Sequence, residues 1–175
     1  MRTLEHRRHS RRDPGGVHLN ESGRTLARRV GSHLARFDRV VTSPKPRARE
    51  TAEAMGRAVD AEVVALGDMP DGVGISLDEL CPRTFRDYVD LVGRSEAMAG
   101  YARDQVGCWR GELERVPEGG SLLMISHGGV IELGVAGAVP ETARGWGVVL
   151  GYLEGVRLMW DGRGWTAGGV LRIPP

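Results

Sequence analysis

Short apolar segments alternate with amphipathic segments along the chain. The apolar or β-branched runs are typical of buried strands, although the first segment is a poor strand by composition because Glu5, His6 and Arg7 make it polar. The tail is typical of strands joined by a hairpin turn at Asp161-Gly162. Strands are therefore predicted at residues 2–7, 39–42, 61–66, 122–125 and within 148–173.

The segments between these strands have helical spacing. Asn20 is a good N-cap residue, and Leu26, Val30, Leu34 and Phe37 follow it on one helical face. Further helices are predicted with Pro44 in the first turn, within 85–115 with a break near Gly93, and from Gly128-Gly129 to just before Pro140. Loops are predicted at 8–19 and 67–76.

Strands that alternate with helices indicate an α/β protein, here a three-layer α/β/α sandwich with a mostly parallel central sheet. A length of 175 residues suits one domain over residues 1–175. Ligands of such sheets bind at the carboxyl ends of the strands. Three segments with reactive side chains follow predicted strands, at 8–9, 43–47 and 126–128, so we expect them to form one site.

Composition narrows the possible classes of function. Hydrophobic residues make up 41% and charged residues 27%, as in a globular protein, and 24 Lys+Arg against 23 Asp+Glu leave little net charge. Neither a nucleic-acid partner nor a membrane partner is therefore predicted. Cys81 and Cys108 are expected to be reduced thiols. The sequence shows neither an apolar leader nor a membrane span, so we expect a cytoplasmic protein.

His9 is the first candidate catalytic residue. Arg8 precedes it and other arginines surround it, and nearby cations lower a histidine pKa by charge repulsion. A neutral imidazole is a nucleophile, and arginine is the preferred partner of phosphate, so this pair suits attack on phosphorus. The alternative interpretation is a solvated basic arm that contacts nucleic acid, which predicts strongly salt-dependent DNA affinity.

His127 and Arg47 are the next candidates. His127 follows an apolar strand and precedes Gly128 and Gly129, and glycines at a helix start let an anion approach backbone N–H groups. Arg47 lies one turn into a helix that follows a strand, whereas Arg49 points to a different helical face. Taken singly, His127 is equally consistent with a core histidine and Arg47 with a surface arginine.

Cleavage of a phosphate ester also needs a proton donor for the leaving oxygen. Asp78 and Glu79 follow a glycine-rich loop, and the residues alone do not choose between them. The sequence offers no ligand cluster with zinc-like spacing, so no metal and no cofactor are predicted.

Together these segments resemble the motifs of the histidine phosphatase superfamily, also called the phosphoglycerate mutase-like family. They resemble its RHG signature, the LTxxG that follows it, the SxxxRAxxTA segment, the LxE that carries the acid, and the second-histidine segment. In chain order they are residues 8–10, 19–23, 42–52, 77–79 and 125–131. Each motif alone is weak, but their order and spacing make the resemblance specific.

The resemblance implies a role for each matched residue. His9 would become phosphohistidine, and Glu79 would protonate the leaving group and then help to activate water. The phosphoryl group would be held by Arg8, Arg47, His127 and Gly128. The implied activity is metal-independent hydrolysis of a phosphorylated small molecule or a phosphoprotein, as in the compact phosphatases of the family.

Two departures from the family pattern bear on activity. Ser10 replaces the signature glycine, which predicts a usable backbone N–H but a narrower space near the phosphate. Gly15 lies close to the place where mutases of the family carry asparagine, and the short chain leaves little room for a cap, which favours hydrolysis. The alternatives are a phospho-ligand binder without turnover, a phosphomutase and, least favoured because Ser126 lacks a GxSxG elbow, a serine hydrolase. No oligomeric state is predicted.

Overall fold

The computed structural model describes residues 1–173, which form six strands and seven helices. The strands are β1 (Arg2–Arg8), β2 (Arg39–Thr42), β3 (Ala61–Glu62), β4 (Ser121–Ser126), β5 (Gly155–Trp160) and β6 (Trp165–Leu171). The helices are α1 (Glu21–Gly31), α2 (Pro46–Ala54), α3 (Asp71–Leu80), α4 (Phe85–Arg94), α5 (Glu96–Leu113), α6 (Val130–Ala138) and α7 (Pro140–Ala143).

The strands form one sheet in the order β3-β2-β4-β1-β5-β6. The pairs β3–β2, β2–β4 and β4–β1 are parallel, whereas β5 and β6 are antiparallel to their neighbours. Helices α1 and α2 pack with Leu123 and Ile125 on one face, and α4, α5 and α6 pack with Leu122 and Met124 on the other. The predicted three-layer α/β/α sandwich with a mostly parallel sheet is confirmed.

The polar strand β1 lies in the middle of this sheet. Its charge is neutralised locally, because the buried Glu5 accepts from Arg7 Nε at 2.6 Å and from Arg157 at 3.0 Å. His6 is fully buried, and its Nε2 hydrogen-bonds to Ser126 Oγ at 2.6 Å. Paired polar groups can therefore be buried in a strand that composition alone makes a poor candidate.

Two helix boundaries differ from the prediction. Helix α1 ends at Gly31, so Leu34 and Phe37 lie beyond it; Gly31 packs directly on the backbone of Met55. Helix α2 begins at Pro46 rather than Pro44. The intervening residue, Lys45, precedes a proline and is held in an extended conformation with ψ 131°, which keeps it out of the helix.

Three predicted segments also change. Residues 71–76, expected to be loop, form the first part of α3, which is anchored by the buried pair Val73 and Leu77 at helical spacing. The strand expected at 61–66 is reduced to Ala61–Glu62, followed by a 3₁₀ turn at Val64–Leu66. The tail becomes a strand at Gly155, later than expected, while the break between α4 and α5 falls next to the predicted Gly93.

Candidate active site

The carboxyl ends of three neighbouring strands bring the two candidate histidines together. The His9 N–H donates to the Ser126 carbonyl at 2.9 Å, and the Ser43 N–H donates to the Ile125 carbonyl at 3.0 Å, so both loops leave the sheet beside β4. The ring centroids of His9 and His127 are 5.2 Å apart. Residues that are more than 100 positions apart in the chain thus form one site, as the strand order predicts.

The hydrogen bonds of His9 define which ring nitrogen carries the proton. Nδ1 lies 2.7 Å from the Ser10 carbonyl oxygen, which can only accept, so Nδ1 is the protonated nitrogen. Arg47 Nε lies 3.2 Å from Nε2 and can only donate, so Nε2 is unprotonated and its lone pair accepts this hydrogen bond. The ring is therefore neutral and oriented, with its nucleophilic nitrogen directed at a guanidinium.

The electrostatics of the site keep His9 neutral. The pKa of His9 is lowered to about 4: burial is the largest cause, the Ser10 carbonyl opposes it, and the charges of Arg47, Arg8 and Arg12 add to the lowering. Clustered cations, the cause expected from the sequence, therefore explain only part of the lowered pKa, because loss of solvation is the largest single cause.

His127, whose ring faces that of His9, is held by a hydrogen bond to Ser43. Its Nε2 hydrogen-bonds to Ser43 Oγ at 2.7 Å, and within residues 1–173 its buried Nδ1 has no partner. Burial, then the charge of Arg47, lowers its pKa to about 2. An unpartnered buried nitrogen beside His9 is a place where a polar ligand atom can complete the hydrogen bonding.

Arg8, Gly128 and Gly129 line a cavity of the candidate site. Arg8 Nη1 donates to the Leu150 carbonyl at 2.7 Å, and its guanidinium lies 4.7 Å from the ring centroid of Tyr152. A Cβ at Gly128 would lie 3.3 Å from the Arg8 guanidinium carbon, so the loop approaches this arginine closely. The Gly129 N–H is already bonded to Glu132 at 2.7 Å and is therefore not available to an anion.

The backbone and side chain of Ser10 are used differently from what the sequence predicts. Its N–H, expected to be usable by a ligand, donates to Thr51 Oγ1 at 2.9 Å. Its side chain, expected to narrow the phosphate site, donates to the Gly23 carbonyl at 2.7 Å, away from His9. Gly23 is required there, because a Cβ would overlap the carbonyl oxygen of Arg11. Ser10 therefore ties the nucleophile loop to α1.

Glu79 does not line the cavity that contains Arg8. Glu79 is exposed on α3, two residues from the buried Leu77 and thus on a different helical face. Asp78 instead lines a cavity of about 410 Å³ together with Arg8 and Gly128. Asp68, which lies outside the matched motifs, follows a glycine that packs against Ser43, and its carboxylate lies 3.5 Å from Lys45 Nζ.

Other residues of the site were also missed from sequence. Tyr152 lies with its ring centroid 5.7 Å from that of His9, and no sequence pattern marks it. Glu132 is buried and accepts from the N–H groups of Gly129 at 2.7 Å and Leu150 at 3.0 Å. A signal for Glu132 does exist, since it is the one charged residue in the apolar helix α6.

Within residues 1–173, no group of three or more His, Cys, Asp or Glu side chains is arranged to hold a metal ion. No helix in this part of the chain is both long and apolar enough to cross a bilayer. Cys81 and Cys108 are both unpaired thiols, as predicted.

Two neutral histidines that lie among arginines suit an anionic ligand such as a phosphate group. Residues 2–71 match the family model described as histidine phosphatase superfamily (branch 1). A 2,3-bisphosphoglycerate-dependent phosphoglycerate mutase from Methylobacterium sp. (strain 4-46) is 33% identical over 140 residues, which cover 77% of this chain and 61% of the relative. The chain thus spans about three fifths of the length of this curated relative.

Solved structures extend the likeness to the whole chain. Phosphoserine phosphatase from Entamoeba histolytica, in complex with 3-phosphoglyceric acid, has a TM-score of 0.75 at 14% identity and covers 99% of this chain and 98% of its own. A mycobacterial glucosyl-3-phosphoglycerate phosphatase complexed with VO3 has a TM-score of 0.57 at 19% identity, covering 97% and 98%. These likenesses are of fold. The chain belongs to the histidine phosphatase superfamily, whose named relatives here are a mutase and two phosphatases.

Proposed function

We propose that this protein hydrolyses phosphomonoesters through a phosphohistidine on His9. The observation that carries the proposal is the hydrogen bonding of the His9 ring, which leaves a lone pair on Nε2 directed at Arg47. An imidazole that is fixed, neutral and surrounded by cations is prepared to attack a phosphorus atom whose oxygens those cations hold.

In the first step the Nε2 lone pair forms an N–P bond while the bond from phosphorus to the leaving oxygen breaks. The electron pair of that bond goes to the leaving oxygen, which takes a proton from a carboxylic acid. Arg8, Arg47, His127 and the Gly128 N–H are the donors we assign to the phosphoryl oxygens. Most of the rate would come from this positioning and charge stabilisation, as in phosphoryl transfer generally.

In the second step water attacks phosphorus, its proton passes to the carboxylate, and the electron pair of the N–P bond returns to Nε2. We assign the carboxylate to Asp68, because its segment packs against Ser43, the partner of His127. Asp78, on the wall of the cavity that contains Arg8, is the alternative, and Glu79 is the least favoured of the three.

A phosphomutase is the second candidate, and the name of the 33% identical relative favours it. The chain covers 61% of that relative, so the activity of the whole mutase does not carry over directly. Hydrolysis needs water to reach the phosphohistidine, and a mutase must keep water away during transfer. The exposure of Asp68 and Asp78 at the site favours hydrolysis.

The experiment that separates the two activities is a product analysis with phosphoserine and 3-phosphoglycerate, in the presence of EDTA. We expect inorganic phosphate to be released and no 2-phosphoglycerate to form, with or without added 2,3-bisphosphoglycerate. Isomerisation faster than phosphate release would instead establish a mutase. Phosphate binding by calorimetry without turnover on these esters or on p-nitrophenyl phosphate would establish a phospho-ligand binder.

A further inference from the structure

Two cavities lie side by side between α1 and the chain that flanks β5 and β6. One, of about 250 Å³, is lined in part by Arg11, Leu26, Arg29 and Tyr152. The other, of about 430 Å³, continues from it because Arg29 and Ile173 line both. We call this continuous depression the α1 groove. Its lining includes Arg11, Leu26, Arg29, Val30, Leu34 and Ile173.

The near end of the α1 groove borders the candidate active site. Tyr152 lines the smaller cavity, and the same ring lies 5.7 Å from the ring of His9 and 4.7 Å from the Arg8 guanidinium. A ligand in the groove is thus separated from the nucleophile by one aromatic side chain. The groove has no part in the phosphoryl-transfer steps assigned above.

The charge of the groove is positive. Arg11 and Arg29 are exposed, and neither side chain makes an ion pair or hydrogen bond with any residue of 1–173. The other charges that face the groove are already matched. Glu154 pairs with Arg172 at 2.6 Å, and Arg7 pairs with Glu5 at 2.6 Å. Two guanidinium groups are therefore left for an anionic partner.

The walls and the length of the groove favour a polypeptide. Leu26, Val30, Leu34 and Ile173 give it apolar walls beside the arginines. This wall follows α1 from Leu26 to Val30, a rise of roughly 6 Å at about 1.5 Å per residue, and continues beyond the end of the helix to Leu34. A ligand that fits this space carries acidic groups and apolar side chains in alternation.

We propose that the α1 groove docks an acidic, partly apolar segment of a phosphorylated polypeptide substrate, while the phosphorylated residue reaches His9 past Tyr152. The inference rests on the proposed function, since it identifies the substrate class of the same site. Docking does not require phosphoryl transfer, so binding to the groove can be measured separately from turnover.

The test uses a fluorescein-labelled peptide of alternating Glu and Val, eight residues long and unphosphorylated, titrated with the whole protein and followed by anisotropy. We expect saturable binding that weakens between about 50 mM and 500 mM salt, as for exposed charges. Arg29→Glu should weaken it at least about fivefold. Arg28→Glu is the matched control, because Arg28 lies on the same helix, pairs with Glu21 at 3.4 Å and does not line the groove.

Turnover separates failure of docking from failure of the proposed function. Arg29→Glu should leave p-nitrophenyl phosphate hydrolysis at the wild-type level while raising KM for a phosphopeptide with acidic flanks. Equal weakening by Arg28→Glu, equal binding of a Lys-Val peptide, or binding of phosphatidylserine vesicles in preference to the peptide would each overturn docking. Absence of hydrolysis with intact, Arg29-dependent peptide binding would overturn the proposed function and leave the groove as an acidic-peptide site.

Discussion

Arg47 Nε–H donates to His9 Nε2 across 3.2 Å, so a cation rests where the phosphoryl group is expected to enter. Helix α2 fixes this relationship. Thr51 Oγ1 donates to the Arg47 carbonyl at 2.7 Å and accepts the Ser10 N–H at 2.9 Å, which joins the arginine and the nucleophile loop through one hydroxyl group. Burial and the charges of Arg12 and Arg8 lower the Arg47 pKa, as expected for crowded cations.

This relationship predicts the effect of changing Arg47. Arg47→Lys keeps the charge but loses the planar fork of donors, so kcat/KM for p-nitrophenyl phosphate should fall about 100-fold. Arg49→Lys is the control, because Arg49 lies two positions along the same helix and pairs with Glu53 and Glu62. Similar losses in both variants would mean that α2, and not the Arg47 side chain, determines the rate.

The identity of the acid is tested by the leaving group. Asp68→Asn should slow hydrolysis of alkyl phosphates by roughly 100-fold or more and of p-nitrophenyl phosphate much less, since a good leaving group needs little protonation. Glu79→Gln should leave both rates near wild type because this side chain points to solvent. If Asp78→Asn instead shows the selective loss, Asp78 is the general acid. If Glu79→Gln shows it, Glu79 is the general acid, as the family resemblance implies.

Three buried histidines predict acid sensitivity of the fold. Burial lowers the pKa of His6 to about 3, His9 to about 4 and His127 to about 2. In the unfolded chain each would titrate near about 6.5. Below that pH the unfolded chain binds protons that the folded chain does not. The free energy of unfolding is therefore highest above about pH 6.5 and falls as the pH drops.

Each of these histidines contributes roughly 1.4 kcal/mol per pH unit to that fall, until its own folded pKa is reached. Urea unfolding at about pH 7, 6 and 5 measures the slope directly. His6→Gln removes one proton-binding group and should make the dependence shallower, whatever it does to stability at neutral pH. An unchanged slope in this variant would contradict the lowered pKa, because it would show that His6 binds a proton equally well in the folded and unfolded states.

The fold was predictable because strand and helix order determines it, whereas the boundaries depended on contacts that sequence does not display. The Lys45-Pro46 step carried a local signal for where α2 starts, but the end of α1 depends on Gly31 meeting the Met55 backbone. The convergence of His9, His127 and Arg47 followed from strand ends. Tyr152 entered the site through a loop beside β5, and no periodicity identifies such a residue in advance.

The Ser10 expectation was wrong for a related reason. A substitution in a motif was interpreted as a change facing the ligand, but the chain turns so that the serine hydroxyl reaches Gly23 on α1. The assignment of the acid to Glu79 relied on motif spacing within a segment that turned out to be helical. Helical geometry places Asp78 and Glu79 on different faces, and only the three-dimensional structure shows which of the two faces the Arg8 cavity.

The most direct test of the central claim is whether a covalent phosphoenzyme forms on His9. The protein is mixed with p-nitrophenyl phosphate in EDTA, quenched within milliseconds under alkaline denaturing conditions and analysed by peptide mass spectrometry. We predict one added phosphoryl group on the peptide that contains His9, stable to alkali and lost in acid, and absent from His9→Ala. Turnover without this adduct, or turnover that survives in His9→Ala, would contradict the account.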